Sequence, residues 1–149
     1  MAELRFGLSA PAPCSYLSQQ QEQLVFLLPE QPLDAALYQQ LLQLNFRRSG
    51  EQVYTPHCPS CQACQSVRIA PTQFKPSRSQ RRLLQKAARV SWRYQLDDEL
   101  NQDYYALFAA YIGHKHQDGS MYPPAPEQLN SMLNCSWLKV RLLKQYYND

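Results

Sequence analysis

The sequence predicts an α+β fold with a cysteine-rich loop in its first half. Three observations lead to this fold class. The apolar run of residues 23–28 is short and is closed by Pro29, as is typical of a buried strand. Leucines spaced by threes and fours then mark one face of an amphipathic helix over residues 33–46. A polar loop with Cys58, Cys61 and Cys64 follows, in which two C-x-x-C steps share their middle cysteine.

The composition is that of a globular protein. The chain has 149 residues, of which 44% are hydrophobic and 18% charged, and this length fits one ordinary domain or two very small ones. The formal net charge of +3 does not by itself indicate a nucleic-acid partner. A basic surface therefore has to come from local clustering of Lys and Arg.

We expect a cytoplasmic protein without membrane association. No apolar segment approaches the ~18 residues that a bilayer-spanning helix needs. The first seven residues are not followed by the apolar stretch of a secretory signal peptide. In the cytoplasm, clustered cysteines indicate metal ligands or redox groups rather than structural disulfides.

Two predicted strands flank the cysteine loop. The basic residues and the glycine of Phe46–Gly50 are typical of a helix end, so the first helix is expected to stop there. Residues 53–54 predict a short strand that leads into the loop. The alternation of residues 66–70 predicts a second strand that leaves it.

A second helix and a third strand are predicted beyond the loop. Ser77 and Gln80 have the spacing of a capping box, which places Ser77 at the N-cap of a helix that runs through about Ala88. Residues 90–96 alternate between polar and apolar side chains and predict a strand.

The last third of the chain predicts two more helices. Acidic residues in Asp97–Glu99 favour a helix start, and the helix that follows is expected to bury Leu107 and Tyr111 among its apolar residues. Pro123–Pro126 begins a short last helix. Residues 136–149 are ambiguous between strand and helix.

The cysteine loop predicts a site for a soft metal. Three thiolates at i, i+3 spacing suit one metal centre, and zinc and iron–sulfur clusters usually take four. The best fourth ligand is Cys14, with His57 and Cys135 as alternatives. Zinc and an iron–sulfur cluster both stay open. The competing interpretation is that the cysteines are reduced and pack as small hydrophobic side chains.

The predicted second helix begins with a cluster of basic residues. A helix N-terminus attracts anions, and Arg binds phosphate or carboxylate groups bidentately. No acidic residue stands at i+4 to pair with these charges, although a solvated helix face is the simpler interpretation. The basic candidates are Lys75, Arg78, Arg81 and Arg82.

Several motifs together resemble one family, the bacterial aspartate/glutamate leucyltransferases of the arginyl-tRNA–protein transferase family. The resemblance extends from about Phe6 to Leu138. It rests on the order of Pro13–Leu17, Phe46–Gly50, Tyr54–Cys64, Phe74–Arg82 and Asp118–Tyr122.

The resemblance implies an enzyme that moves leucine from leucyl-tRNA to the N-terminal Asp or Glu of an acceptor protein. The added leucine then marks that protein for N-degron degradation. Acyl transfer itself is expected to need no cofactor, and DNA is not an expected partner. The resemblance also implies zinc or iron–sulfur ligands at Cys14, Cys58, Cys61 and Cys64. It further implies substrate or tRNA contacts by the basic candidates, and stacking of Tyr54 and Phe74 on a terminal base, with core packing as the alternative for these two rings.

The resemblance further implies two domains. Residues 1–75 are expected to form the cysteine-bearing domain, and residues 76–149 the opening elements of an acetyltransferase-like α/β domain. The family continues well past Leu138, and we therefore expect the chain to be a C-terminally truncated product. A leucyl-transfer assay would decide whether this product is active. The alternative is a non-catalytic, metal-stabilised RNA-binding or regulatory module.

Overall fold

The computed structural model describes residues 3–28, 30 and 32–148, and its elements alternate irregularly between strands and helices. The α+β class predicted from the sequence is confirmed. Pro29, which was expected to close the first strand, lies outside the described residues. In chain order the elements are β1 (Phe6–Leu8), β2 (Ala12–Pro13), β3 (Gln21–Glu22), β4 (Leu24–Leu27), α1 (Ala35–Gln43), β5 (Arg47–Ser49), β6 (Gln52–Pro56), α2 (Arg78–Ala87), β7 (Ser91–Asp97), α3 (Gln102–Lys115), α4 (Pro126–Leu133) and β8 (Leu142–Asn148).

The chain divides into two compact units. Unit 1 contains Met1–Gln65 and Leu100–Val140, and unit 2 contains Ser66–Glu99 and Arg141–Asp149. Each unit is therefore made of two separate stretches of sequence. The predicted domains, residues 1–75 and 76–149, are continuous stretches, and that division stays a prediction.

Unit 1 is built on an antiparallel sheet with the strand order β1-β4-β6-β5. Strands β2 and β3 form a separate two-stranded hairpin. Helix α1 packs its leucine face on the sheet, where Leu41 and Val53 are almost completely buried with Leu27 and Phe46. This confirms Leu37 and Leu41 as the core-facing stripe of an amphipathic helix, whereas Leu44, the C-cap residue, is 66% exposed.

Helix α1 is shorter than predicted, and its end differs from the expected one. It begins after the N-cap Asp34, whose side chain accepts a hydrogen bond from the Leu37 N–H at 2.7 Å. It ends before Asn45, which takes a left-handed conformation with φ of 67°. The predicted helix end at Phe46–Gly50 is wrong, because Arg47–Ser49 forms strand β5.

Gly50 makes the turn between β5 and β6 instead of ending a helix. Its φ of 57° lies in the left-handed region that favours glycine. Its N–H donates to the carbonyl of Met132, at the end of α4, over 2.6 Å. A Cβ at this position would lie 1.9 Å from the carbonyl oxygen of Ser131. The turn therefore approaches the backbone of α4 as closely as only glycine allows.

Helix α3 starts later than its acidic signal predicted. Asp97 ends strand β7, and the N-cap of α3 is Asn101, whose side chain accepts from the Asp103 N–H at 3.1 Å. The buried residue of the helix is Ile112, whereas Leu107 and Tyr111 are 62% and 57% exposed. The prediction that Leu107 and Tyr111 are buried is therefore wrong.

Unit 2 consists of helix α2 and the antiparallel β7–β8 ribbon. The predicted capping box is confirmed, since Ser77 Oγ accepts from the Gln80 N–H and Gln80 Oε1 accepts from the Ser77 N–H. One face of the ribbon is polar: the Arg93 guanidinium lies 4.3 Å from the Tyr146 ring centroid, and Lys144 pairs with Asp97 at 3.7 Å. The ambiguous C-terminal segment is thus a strand from Leu142 onward.

The strand predicted for residues 66–70 is wrong. Residues 57–70, all of which the structure describes, contain no helix or strand, and Val67 and Ile69 are 82% and 68% exposed. Apolar side chains alternate in residues 66–70, but this segment pairs with no described strand. Among the described helices, none combines the length and the apolar character that crossing a membrane requires.

Candidate basic surface and its neighbourhood

Helix α2 presents the predicted basic residues to solvent. Arg78 and Arg82 are separated by one turn, and Arg81 lies beside them, so the three occupy one side of the helix. All three are exposed. In the part of the chain that the structure describes, no carboxylate pairs with any of these guanidinium groups. They are therefore available to an anionic ligand.

The segment before α2 extends the same positive region. Lys75 is exposed two residues before the cap Ser77. Phe74 ends a single 3-10 turn at Pro71–Gln73 and is 48% exposed. One short segment thus combines four cations, an exposed aromatic ring and a helix N-terminus, which is the chemistry that phosphate groups and unstacked bases require.

The second aromatic candidate has a different environment. Tyr54 lies on β6, where it pairs with Phe26 of β4 and Arg47 of β5, and it is half-buried. This placement is typical of sheet packing. Tyr54 belongs to unit 1, whereas Phe74 and the arginines belong to unit 2. The substrate-binding roles of all six residues stay predictions.

The cysteine loop and the β2–β3 hairpin share hydrogen-bond partners. The Cys14 N–H donates to the Gln20 carbonyl at 2.9 Å, and Ser60 of the loop donates to the Gln20 side chain at 3.2 Å. The Cys58 thiol lies 3.9 Å from the carbonyl of Gln23. The structure therefore places the loop beside the hairpin that carries Cys14.

The thiols themselves are not gathered into a metal site. All five cysteines are free, with Cys64 exposed and Cys14, Cys58 and Cys61 half-buried. Among the described residues, no three His, Cys, Asp or Glu side chains are arranged so that they hold a metal ion. The four-cysteine ligand set stays a prediction.

Unit 1 also contains a cavity that the sequence did not indicate. Its volume is about 880 Å³, and it lies between the β5–β6 turn, the end of β4 and helix α4 with the segment that follows it. Its lining carries two carboxylates, Glu51 and Glu127, and an apolar wall that includes Leu33 and Trp137. The Ser136 N–H and hydroxyl both donate to Glu51, at 2.5 and 3.2 Å, and fix that carboxylate.

No local sequence signal pointed to this cavity. Glu51 follows Gly50 in a turn, and Glu127 stands in the first turn of α4, where an acidic residue is ordinary helix chemistry. The two come to line the same space only because the turn packs against the end of α4. That contact joins residues about eighty positions apart, and the local pattern of apolar and polar residues cannot predict such a contact.

The most specific evidence for the class of protein comes from comparison with known families. Residues 12–82 match the family model described as "Arginine-tRNA-protein transferase, N terminus". This region covers the β2–β3 hairpin, strands β4, β5 and β6 of the unit 1 sheet, the cysteine loop and the basic start of α2. No solved structure matches the chain.

Curated relatives give the finer assignment. A protein of Aeromonas hydrophila is 45% identical over 135 residues, which are 91% of this chain and 56% of the relative. Proteins of Shewanella putrefaciens and Vibrio cholerae are each 40% identical, over 98% and 99% of this chain and 61% and 63% of their own lengths. All three carry the name aspartate/glutamate leucyltransferase.

The chain is similar to the aspartate/glutamate leucyltransferases, and its residues 12–82 match the N-terminal model of the arginyl-tRNA–protein transferases. The resemblance predicted from the motifs is thereby confirmed. The chain spans 56%, 61% and 63% of the length of the three relatives.

Proposed function

We propose that this protein acts in aminoacyl transfer from leucyl-tRNA to the N-terminal Asp or Glu of acceptor proteins. The observation that carries the proposal is the identity of 40–45% to aspartate/glutamate leucyltransferases over more than nine-tenths of the chain. Leucylation of an acceptor in the cytoplasm would mark it for N-degron degradation.

The proposed acyl transfer requires no cofactor. An aminoacyl ester is already activated, so the protein has to place the acceptor amine next to the ester carbonyl, keep that amine neutral and stabilise the tetrahedral oxyanion. No group in this scheme changes its oxidation state. Binding surfaces for a polyanionic RNA and for an acidic N-terminus are the principal requirements.

The exposed cations of α2 supply the first of these surfaces. Phosphate contacts by Lys and Arg dominate the affinity of RNA-binding proteins and make it salt-dependent. Arg78, Arg81 and Arg82 lie on one side of a capped helix, with no ion partner among the described residues. We propose that they, with Lys75 and the ring of Phe74, contact the tRNA, and that one of the arginines pairs with the acceptor's acidic side chain.

The proposed enzyme has two domains, which divide near residue 75. We propose that residues 76–149 contribute the opening elements of an acetyltransferase-like domain, and that residues 1–75 form the cysteine-bearing domain.

We also propose that Cys14 and the loop cysteines bind zinc or an iron–sulfur cluster. The loop's contacts with the hairpin support this, and elemental analysis of anaerobically purified protein tests it.

A transfer assay tests the main proposal. The chain is incubated with labelled leucyl-tRNA and a peptide beginning with Asp, and the matched control peptide begins with Asn, which removes the charge and keeps the shape. Leucylation of the Asp peptide alone is the expected result. Salt-dependent tRNA binding without any leucylation would favour the alternative of a non-catalytic RNA-binding module, and neither binding nor transfer would overturn both.

A further inference from the structure

The cavity in unit 1 differs in charge from the basic segment around α2. Glu51 and Glu127 line it, and none of its described lining residues is Lys, Arg or His. The nearest guanidinium along the chain, that of Arg48, donates to the carbonyl of Gly50 at 2.7 Å, which turns it toward the backbone of the β5–β6 turn. This space therefore disfavours anions and attracts a cation.

The position of one carboxylate is fixed before any ligand arrives. Glu51 accepts two hydrogen bonds from Ser136, one from the backbone N–H and one from the hydroxyl. Each carboxylate oxygen has more than one acceptor site, so Glu51 keeps capacity for a further donor. A preorganised acceptor loses less conformational entropy on binding than a free side chain does.

The cavity also has an apolar wall. Leu33 and Trp137 contribute to it, and both pack against the hydrophobic core of unit 1. The Trp137 ring meets the Tyr38 ring edge-on, with centroids 5.3 Å apart, which holds the indole in place. The volume of 880 Å³ falls within the range of about 300–1,000 Å³ that is usual for small-molecule sites.

We propose that this cavity binds a primary ammonium group that carries an apolar side chain, the chemistry of the leucyl group on the donor tRNA. The inference rests on the proposed function. The leucyl α-ammonium is held by Glu51 and Glu127, and the isobutyl side chain lies against the wall with Trp137. The acceptor's N-terminus is the poorer occupant, because its Asp or Glu side chain would be repelled by the same carboxylates.

Binding of small leucine derivatives tests the proposal without tRNA. L-leucinamide carries the ammonium and the side chain, N-acetyl-L-leucinamide lacks the charge, and glycinamide lacks the side chain. The indole N–H signal of Trp137 reports binding, and a Trp92→Phe variant assigns it, since the chain has 2 tryptophans. We expect a saturable shift with L-leucinamide at about millimolar concentration and at least roughly tenfold weaker effects of the other two compounds.

Charge-removing variants locate the ammonium. Glu127→Gln and Glu51→Gln keep the side-chain shape, and the amide oxygen introduced by Glu51→Gln is still able to accept from Ser136. Each is expected to weaken L-leucinamide binding about threefold, as for a partly exposed ion pair. Glu99→Gln is the matched control: it removes one exposed carboxylate that does not line the cavity, and it is expected to leave binding unchanged.

The outcomes separate this inference from the proposed function. Specific L-leucinamide binding without leucyl transfer would leave the cavity assignment standing and remove the proposed enzyme. Transfer without any Trp137 response to L-leucinamide would remove the cavity assignment and leave the proposed enzyme standing. Equal binding of the N-acetylated compound, or no loss in the two Glu→Gln variants, would also overturn the cavity assignment.

Discussion

Replacing Gly50 with alanine should be among the most destabilising single-methyl changes in this protein. Two separate costs add at this position. An L-residue in the left-handed region costs about 1–2 kcal/mol, because its Cβ approaches the following carbonyl oxygen. The new Cβ would in addition stand 1.9 Å from the Ser131 carbonyl oxygen, which is backbone and not a flexible side-chain end.

The second cost is the displacement that this overlap forces. Pushing packed backbone apart typically costs about 1–3 kcal/mol. It would also stretch the 2.6 Å hydrogen bond from the Gly50 N–H to the Met132 carbonyl. The expected loss of unfolding free energy for Gly50→Ala is therefore about 2–5 kcal/mol, a large share of the roughly 5–15 kcal/mol of a typical domain.

Urea denaturation in a Trp92→Phe background, followed by the fluorescence of Trp137, measures this loss, since Trp137 packs on the core of unit 1. Gly113→Ala is the matched control. Gly113 lies inside α3 and a Cβ there meets nothing within 4 Å, so alanine should stabilise the protein by about 0.5–1 kcal/mol. If Gly50→Ala instead unfolds within about 0.5 kcal/mol of the parent protein, the close approach of the turn to α4 is wrong.

Three further changes test other parts of the structure. Ser77→Ala removes the cap of α2 and should cost about 1 kcal/mol, seen as a loss of helical circular dichroism, whereas Ser77→Asp should retain the helix. Arg82→Ala should weaken tRNA binding and lower the slope of log K against log salt by about 0.7–0.9, while Arg5→Ala, the same charge change outside α2, should not. Burial raises the pKa of Tyr38 above its usual 10.0 despite the opposing charge of Arg48, so the contribution of Tyr38 to stability should be complete below pH 10 and be lost above it, and Tyr38→Phe should abolish that part of the alkaline loss.

The features that the sequence predicted well are those set by neighbours along the chain. The capping box at Ser77 and Gln80 needs only four consecutive residues, and it forms as expected. The leucine stripe of α1 needs only the helical period. Both signals are complete within one element, so no distant partner had to be known.

The features that the sequence predicted poorly depend on distant partners. Residues 66–70 alternate as a strand does, yet no described strand pairs with them. Residues 142–148, in contrast, form a strand because they pair with β7 along its whole length. Gly50 after two arginines fits a helix end and a turn equally well. Only the contact with α4 decides between them, and the cavity at Glu51 depends on that same contact.

The net charge of +3 conceals two regions of opposite character. Lys75 and the arginines of α2 form an exposed cationic segment, whereas the charged residues among the described lining of the unit 1 cavity are carboxylates. An aminoacyl-tRNA has the complementary division within one molecule, since its phosphates are anionic and its free α-amino group is cationic when protonated. A uniformly basic surface would bind the RNA but repel the aminoacyl end. Under the two proposals, the cations of α2 contact the RNA phosphates and the carboxylates of the cavity contact the aminoacyl end.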